Sequence, residues 1–147
     1  MSSFYAFIPG DPHGKGSVRV GRWGAYKDEK TDTYMGVAMM VMRGSLGEAR
    51  PMTGPLSVRL YVWCRRPKVL IPRPRQKTPP SSAPLPCVTK PDVDNVAKTV
   101  LDCLVQSGAI EDDKSVCELL ISKRYVAVDP ALGNTQVGVA VHVEVLL

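Results

Sequence analysis

The sequence predicts an α+β fold in which a small mixed β-sheet has two helices packed on one face. Apolar and polar residues alternate over residues 57–64 and 136–145, which is typical of half-buried strands. Apolar residues recur at helical spacing over residues about 31–44 and again over 93–107. These two periodicities, with further strand patterns at 4–8 and 115–125, predict the sheet and the two helices.

The composition is that of one basic domain. With 147 residues, 44% of them hydrophobic, the chain can bury one core, and we predict a single domain over residues 1–147. A net charge of +5 suits a polyanionic partner such as nucleic acid. Because no apolar run spans a bilayer and no signal peptide is recognisable, we expect a cytoplasmic protein with no membrane partner. The four cysteines match no zinc motif, which favours reduced, packed thiols.

The first part of the chain alternates turns with short regular elements. A strand at 4–8 closes at Pro9-Gly10, and a short strand or hairpin is predicted at 18–26. Between them lies a glycine-rich loop, residues 10–17, without the spacing of an ATP-binding loop. Two interpretations stay open for it: a plain mobile turn, or a basic loop whose amides approach phosphates. Thr31 or Asp32 can then cap the first helix, which ends near Gly44.

Residues 65–91, after the strand at 57–64, form a basic, proline-rich loop that we call the arm. The arm holds eight prolines, seven lysines or arginines and no acidic residue. So many prolines exclude regular structure. The arm is either a solvated insertion or a surface that follows a phosphate backbone and orders on binding.

The second helix has the strongest helical pattern in the chain. Asp92 is a good N-cap and Gly108 a good C-terminal stop. The apolar stripe between them consists of Val93, Val96, Val100, Leu101, Leu104 and Val105. Strands are predicted to follow at 115–125 and 136–145, with a turn at 129–134 between them.

Acidic residues gather around this helix. Six of the fourteen acids lie between Lys90 and Asp113: Asp92, Asp94, Asp102, Glu111, Asp112 and Asp113. Carboxylates brought together repel unless a cation lies between them, and an oxygen-only site suits Mg²⁺, for which Mn²⁺ can substitute. Such an ion polarises a phosphodiester and activates water. Since the helix spans about 20 Å, Asp112 and Asp113 must return to Asp92 and Asp94 through the fold.

A family pattern runs through these same residues. The run Lys90-Pro-Asp-Val-Asp-Asn-Val-Ala-Lys98, then Leu101-Asp102-Cys-Leu104, Gly108, Asp112-Asp113, Val116 and Lys123, resembles the RusA family of Holliday-junction resolvases. Residues 14–19, Gly-Lys-Gly-Ser-Val-Arg, are similar to a basic KGRPR-like motif of its phage and prophage members. Here Ser17 and Val18 stand where that motif usually has arginine and proline.

The resemblance implies a RusA-like, homodimeric, Mg²⁺-dependent endonuclease that makes paired symmetric nicks in four-way DNA junctions. It places the metal ligands on Asp92, Asp94 and Asp113, with Asp112 as a further candidate, and the essential lysine on Lys98. A dimer with two-fold symmetry would present two acidic clusters to one junction. The basic loop, the segment at 18–26 and the arm supply the predicted DNA contacts: Lys15, Arg19, Arg22, Arg65, Arg66, Lys68, Arg73, Arg75, Lys77 and Lys90.

Other functions remain compatible with the residues alone. In a basic DNA-binding module without catalysis, the acidic residues would only cap the helix and form a solvated turn. Lys98 would then form an ion pair within its own helix. A metal-dependent transferase would hold a nucleotide diphosphate on Asp92 and Asp94, but the chain leaves little room for a nucleotide-binding domain. A nuclease that prefers branched DNA flaps or forks would use the same metal chemistry.

Overall fold

The computed structural model describes residues 2–14, 19–22, 24–26 and 29–147. Its strands and helices, in chain order, are β1 (Ser3–Pro9), β2 (Arg19–Gly21), β3 (Gly24–Tyr26), α1 (Glu29–Leu46), β4 (Leu56–Cys64), β5 (Leu85–Pro86), α2 (Val93–Gln106), β6 (Val116–Tyr125) and β7 (Gly138–Val145). Short 3₁₀ turns occupy Lys68–Leu70, Asp113–Ser115 and Pro130–Leu132. No helix in these ranges is long and apolar enough to cross a bilayer.

Five strands form one mixed sheet in the order β1-β7-β4-β6-β5. β4 and β6 are parallel, whereas the other neighbouring pairs are antiparallel. A parallel pair needs a long crossover, and here the arm and α2 together provide it. β2 and β3 form a separate antiparallel hairpin, as predicted for residues 18–26. The predicted α+β class, with a mixed sheet and two helices, is therefore confirmed.

Both helices contribute to one hydrophobic core. The buried face of the sheet comes from alternate residues of β1, β4 and β7, including Ile8, Leu60 and Val141. α1 buries Met35, Ala38 and Met42, and α2 buries Val96, Ala97, Val100, Cys103 and Leu104. Thr99 takes a buried place in α2 because its hydroxyl donates to the carbonyl of Asn95 at 3.0 Å. Val93, predicted for the apolar stripe, is instead exposed in the first turn of α2.

Arg66 organises the arm from within the protein. It is buried, and its guanidinium donates to the backbone carbonyls of Val126 (2.8 Å), Leu70 (2.7 Å), Ser81 (2.7 Å) and Ala83. The predicted DNA contact of Arg66 stays a prediction, and its burial speaks against it because its donors are already used inside the fold. The arm also contains a 3₁₀ turn and the two-residue strand β5, which the proline content did not predict.

Replacing Arg66 by methionine is expected to lower the free energy of unfolding by about 3 kcal/mol, because several inward-facing carbonyls lose a charged donor. Urea unfolding followed by circular dichroism measures the loss. Arg65→Met is the matched control, since the neighbouring Arg65 is exposed and only pairs with Asp11 at 3.3 Å. An exposed pair of this kind contributes about 1 kcal/mol or less. Equal losses in the two variants would contradict the role given to Arg66.

Candidate functional site

The start of α2 carries two exposed carboxylates. Asp92 occupies the N-cap with extended backbone (φ −70°, ψ 142°), and its carbonyl accepts from the amide of Val96 at 3.1 Å. Its side chain makes no capping hydrogen bond. Asp94 follows in the first turn, also exposed. The capping explanation for the Asp92 carboxylate is therefore not observed, and both groups face solvent at the positive end of the helix dipole.

The loop before Asp92 is held by the far end of β6. Lys123 donates through Nζ to the carbonyls of Thr89 and Pro91, the latter at 2.9 Å. The carbonyl of Lys123 accepts from the amide of Cys87 at 3.2 Å. The hydroxyls of Thr89 and Tyr125 lie 3.2 Å apart. These contacts fix residues 87–91, and with them the position of Asp92 relative to the sheet.

For the junction cleavage that the family resemblance implies, replacing Lys123 by methionine is expected to slow the reaction on the order of 10- to 100-fold, because the loop carrying Asp92 loses two restraints and small misplacements are costly. Junction binding should change little. Lys123→Arg should recover part of the rate, since arginine can also donate to two carbonyls. The control is Arg124→Met, an exposed neighbour whose side chain leaves the strand on the opposite side. A normal rate for Lys123→Met would show that the loop is positioned by other contacts.

The glycine-rich loop begins against the same helix. A Cβ on Gly14 would lie 2.8 Å from Cβ of Asn95, so only glycine allows this approach. His13 is anchored beside it, with Nε2 2.8 Å from the hydroxyl of Thr31 and its ring 5.7 Å from that of Tyr34. A pocket of about 390 Å³ lies at this contact and is lined by Pro12, His13, Gly14, Lys90, Pro91, Asp92 and Asn95.

Sequence reasoning missed His13, Asn95 and Lys123 as neighbours of the acidic residues. Two of these lay within patterns already noticed, since Asn95 belongs to the run around Asp92 and Lys123 ends the family pattern. His13 had no signal beyond its place next to Gly14. The predicted DNA contact Lys15 lies outside the described residues, and only the backbone of Arg19 is described.

The acidic turn after α2 has a different local structure. Asp112 caps the 3₁₀ turn that begins at Asp113: its Oδ1 accepts from the amide of Lys114 at 2.9 Å, and its Oδ2 lies 3.1 Å from Nζ of the same lysine. The hydrogen bond from the Lys114 amide, aided by its ammonium group, holds the pKa of Asp112 below its usual value. Asp113 is exposed. Asp112 is therefore already engaged, whereas Asp113 presents its carboxylate to solvent.

The predicted metal ligands are carboxylates, which suit a hard divalent cation, but within one chain the three do not come together as one site. Asp92, Asp94 and Asp113 are exposed carboxylates, the ligand type that Mg²⁺ prefers. Within the described ranges, however, no three His, Cys, Asp or Glu side chains come close enough to hold a metal ion. Lys98 is exposed one turn after Asp94, and Asp102 lies half-buried one turn further along α2.

Most of the predicted DNA contacts that the structure describes are on the surface. Arg22 is exposed in the turn between β2 and β3, and Arg65 is exposed beside Asp11. Lys90 lies in the pocket next to Asp92. The remaining basic residues of the arm are all exposed: Lys68, Arg73, Arg75 and Lys77. Of these basic residues, Lys90 lines the same pocket as Asp92, and Arg66 is the one buried member among the described residues.

Comparison of the chain with protein families gives a match that covers most of its length. The family model described as endodeoxyribonuclease RusA matches residues 9–140. The matched span includes the glycine-rich loop, the arm, α2 and the acidic turn. No curated protein matches the chain.

Proposed function

Because this chain belongs to the RusA family of endodeoxyribonucleases, we propose that it resolves four-way DNA junctions by metal-dependent hydrolysis of phosphodiester bonds. The observation that carries the proposal is the pair of exposed carboxylates, Asp92 and Asp94, at the start of α2 and inside the matched span. The side chain of Asp92 makes no capping hydrogen bond, so helix capping does not account for this carboxylate. Residues 1–147 act in this proposal as one domain.

Mg²⁺, with Mn²⁺ as a substitute, is the proposed metal. Asp92, Asp94 and Asp113 hold it, and a bound divalent ion supplies an activated water and stabilises charge on the phosphate. Asp112 is the weaker candidate ligand, because both its oxygens already contact Lys114. The exposed ammonium group of Lys98 lies one helical turn from Asp94, where it offsets the negative charge that develops on the phosphate.

Branched DNA is the proposed partner, bound by a homodimer. The exposed lysines and arginines of the arm follow the phosphate backbone, while the loop at Gly14 and the side chain of Lys90 meet the strand that is cut. Two cuts related by symmetry require two acidic clusters, and a dimer with two-fold symmetry supplies them. Paired symmetric nicks follow from that arrangement.

The test is nicking of a synthetic four-way junction, with duplex, fork and flap DNA as controls, in Mg²⁺ and in EDTA. Paired symmetric nicks on the junction alone, lost in EDTA, are expected. Preferential cutting of flaps or forks would support a metal-dependent nuclease but would show that four-way junctions are not its preferred substrate. Tight binding without any product in Mg²⁺ or Mn²⁺ would overturn the proposed activity in favour of a binding module.

A further inference from the structure

The side of the sheet away from the two helices presents aromatic side chains. Alternate residues of β1 and β4 face the core, so Tyr5, Phe7, Tyr61 and Trp63 extend from the other side. We call this side of the sheet the open face. Tyr5 is 59% exposed there, and Tyr61 is 37% exposed. These rings lie outside the hydrophobic core, and a planar partner can stack on them.

A trough runs between these rings because β7, the strand between β1 and β4, has small residues there. Ala140 lies opposite both Phe7 and Tyr61. A Cβ on Gly138 would lie 2.5 Å from Cζ of Phe7, so the Phe7 ring rests against the backbone of β7. The trough contains a cavity of about 540 Å³, which is lined by Tyr5, Phe7, Trp63, Asn134, Gln136 and Ala140.

The rings that line the trough are not stacked on one another. Among the described residues, a ring contact joins His13 to Tyr34, and none joins Tyr5, Phe7 or Trp63 to a second ring. Since β7 separates β1 from β4, the backbones of these two strands lie about 10 Å apart. That spacing leaves room for one planar group between their rings. Stacking on aromatic side chains is how proteins bind unpaired bases.

The charges of the open face are distributed unevenly. Arg59 on β4 and Arg124 on β6 are exposed beside the aromatic residues. The acidic residues of this face, Glu118 and Glu144, both lie opposite Ser57, at the far end of the strands. A polyanionic chain laid along the trough therefore meets cations next to the rings, while the acidic residues limit how far it extends.

Two side-chain amides close the trough at the end where β7 begins. Asn134 is fixed within its own turn, because its Oδ1 accepts from the amide of Gln136 at 3.1 Å and its Nδ2 donates to the carbonyl of Gln136 at 2.8 Å. The side chain of Gln136 is exposed. Amide groups of this kind hydrogen-bond the edges of bases. A base in the trough would thus have rings against its faces and polar groups at its edge.

We propose that the open face binds single-stranded DNA, with one unpaired base stacked between the rings of the trough and the flanking phosphates at Arg59 and Arg124. Stacking on aromatic side chains accepts every base, and arginine contributes both its charge and cation–π contact. A base within a duplex is already stacked between its neighbours, so duplex DNA does not fit the trough.

The open face is separate from the carboxylates of the candidate site. Lys123 lies opposite Val62, which is buried on the side of the helices, and its Nζ holds the loop that carries Asp92. The trough lies on the other side of the sheet. The proposal therefore goes beyond the proposed function and takes no residue from it.

Titration of a fluorescently labelled oligothymidylate in EDTA tests the trough. A probe of about 12 nucleotides is within the usual site sizes of single-strand-binding surfaces. Trp63→Leu and Tyr5→Leu are each expected to weaken its binding about fivefold, because the stacking of one base is lost. Trp63→Phe keeps an aromatic face and should bind nearly as the wild type does. Met40→Ala is the matched control, since it removes an apolar side chain that is 67% exposed on α1.

Duplex DNA of the same length should bind the wild type and these variants equally, since the arm is unchanged in all of them. Wild-type oligothymidylate binding by Trp63→Leu would overturn the proposal. So would an equal loss in Met40→Ala, or an equal loss of duplex binding. If Trp63→Leu changed only the oligomeric state in sedimentation equilibrium, the open face would be a contact between subunits and not a DNA site.

A second experiment uses the wild-type protein without substitutions. An oligothymidylate in which bromouracil replaces thymine is irradiated with the protein, and the crosslinked peptides are identified by mass spectrometry. Crosslinks to Tyr5, Phe7 or Trp63 are expected, whereas crosslinks confined to the arm would overturn the proposal. Neither experiment uses cleavage, so a protein without nuclease activity would refute the proposed function and leave both readouts unaffected.

Discussion

Replacing Asp94 by asparagine is expected to reduce junction cleavage on the order of 10³-fold while junction binding is retained. Asparagine keeps the size of the side chain but removes the negative charge that a divalent ion requires, and metal stabilisation of the reaction is worth several kcal/mol. Binding persists because the loss of a negative charge cannot weaken attraction to DNA. Single-turnover cleavage and gel-shift titration of one labelled junction measure the two effects separately.

Asp32→Asn is the matched control for this substitution. Asp32 is also an exposed carboxylate in the first turn of a helix, here α1, so both variants lose the same favourable interaction with a helix dipole. We expect Asp32→Asn to cleave at the wild-type rate. If Asp94→Asn lost binding together with cleavage, or if both variants were equally slow, Asp94 would be acting on structure and not on the metal.

Neutralising the three cations at the tip of the arm, residues 73–77, is expected to lower DNA affinity more than any of the single substitutions above. In the triple variant Arg73→Gln, Arg75→Gln and Lys77→Gln, three exposed cations are removed while side-chain bulk is largely kept. If each cation contacts one phosphate, the negative slope of log K for DNA association against log salt concentration becomes less steep by about 2.7. The affinity near physiological salt is then expected to fall on the order of 10- to 100-fold. Titrations at several salt concentrations give the slope directly.

The comparison needs a variant with the same change in net charge. Arg43→Gln, Arg50→Gln and Arg59→Gln remove three exposed arginines from α1, from the turn after it and from the outward face of β4. We expect this protein to retain most of the wild-type affinity and salt slope. Equal losses in the two triple variants would mean that overall charge, and not the arm, attracts the DNA.

The fold was largely predictable because its elements follow local rules. The alternation of Val58, Leu60 and Val62 in β4, and the helical spacing of Val96, Val100 and Leu104 in α2, each indicate a single buried face. The parallel pairing of β4 with β6 was not predictable, since it depends on how a crossover of about 50 residues returns to the sheet. Neither β5 nor the internal position of Arg66 has a periodic pattern, because both depend on distant partners.

The residue types of the candidate site could be predicted from the sequence, whereas their positions relative to one another could be predicted only in part. The spacing of Asp92 and Asp94 before a helical pattern was enough to place two carboxylates at the start of α2. The return of Asp113 to this pair, expected within one chain, is not found among the described residues. Lys123 was visible only as the end of a motif, since its role depends on carbonyls more than thirty positions away. Contacts between distant backbone and side-chain atoms leave no local signal in a sequence.

The four bonds of Arg66 have a consequence for how this protein tolerates change. Three of them join Leu70, near the start of the arm, to Ser81 and Ala83, so the chain between Leu70 and Ser81 is a closed loop with a fixed base. Doubling the length of such a loop costs only about 0.6 kcal/mol. Insertions, deletions and exchanged sequences at its tip can therefore accumulate without disturbing the helix that carries Asp92. The tip of the arm, which we propose binds DNA, can thus vary in length and sequence independently of the helix that carries Asp92.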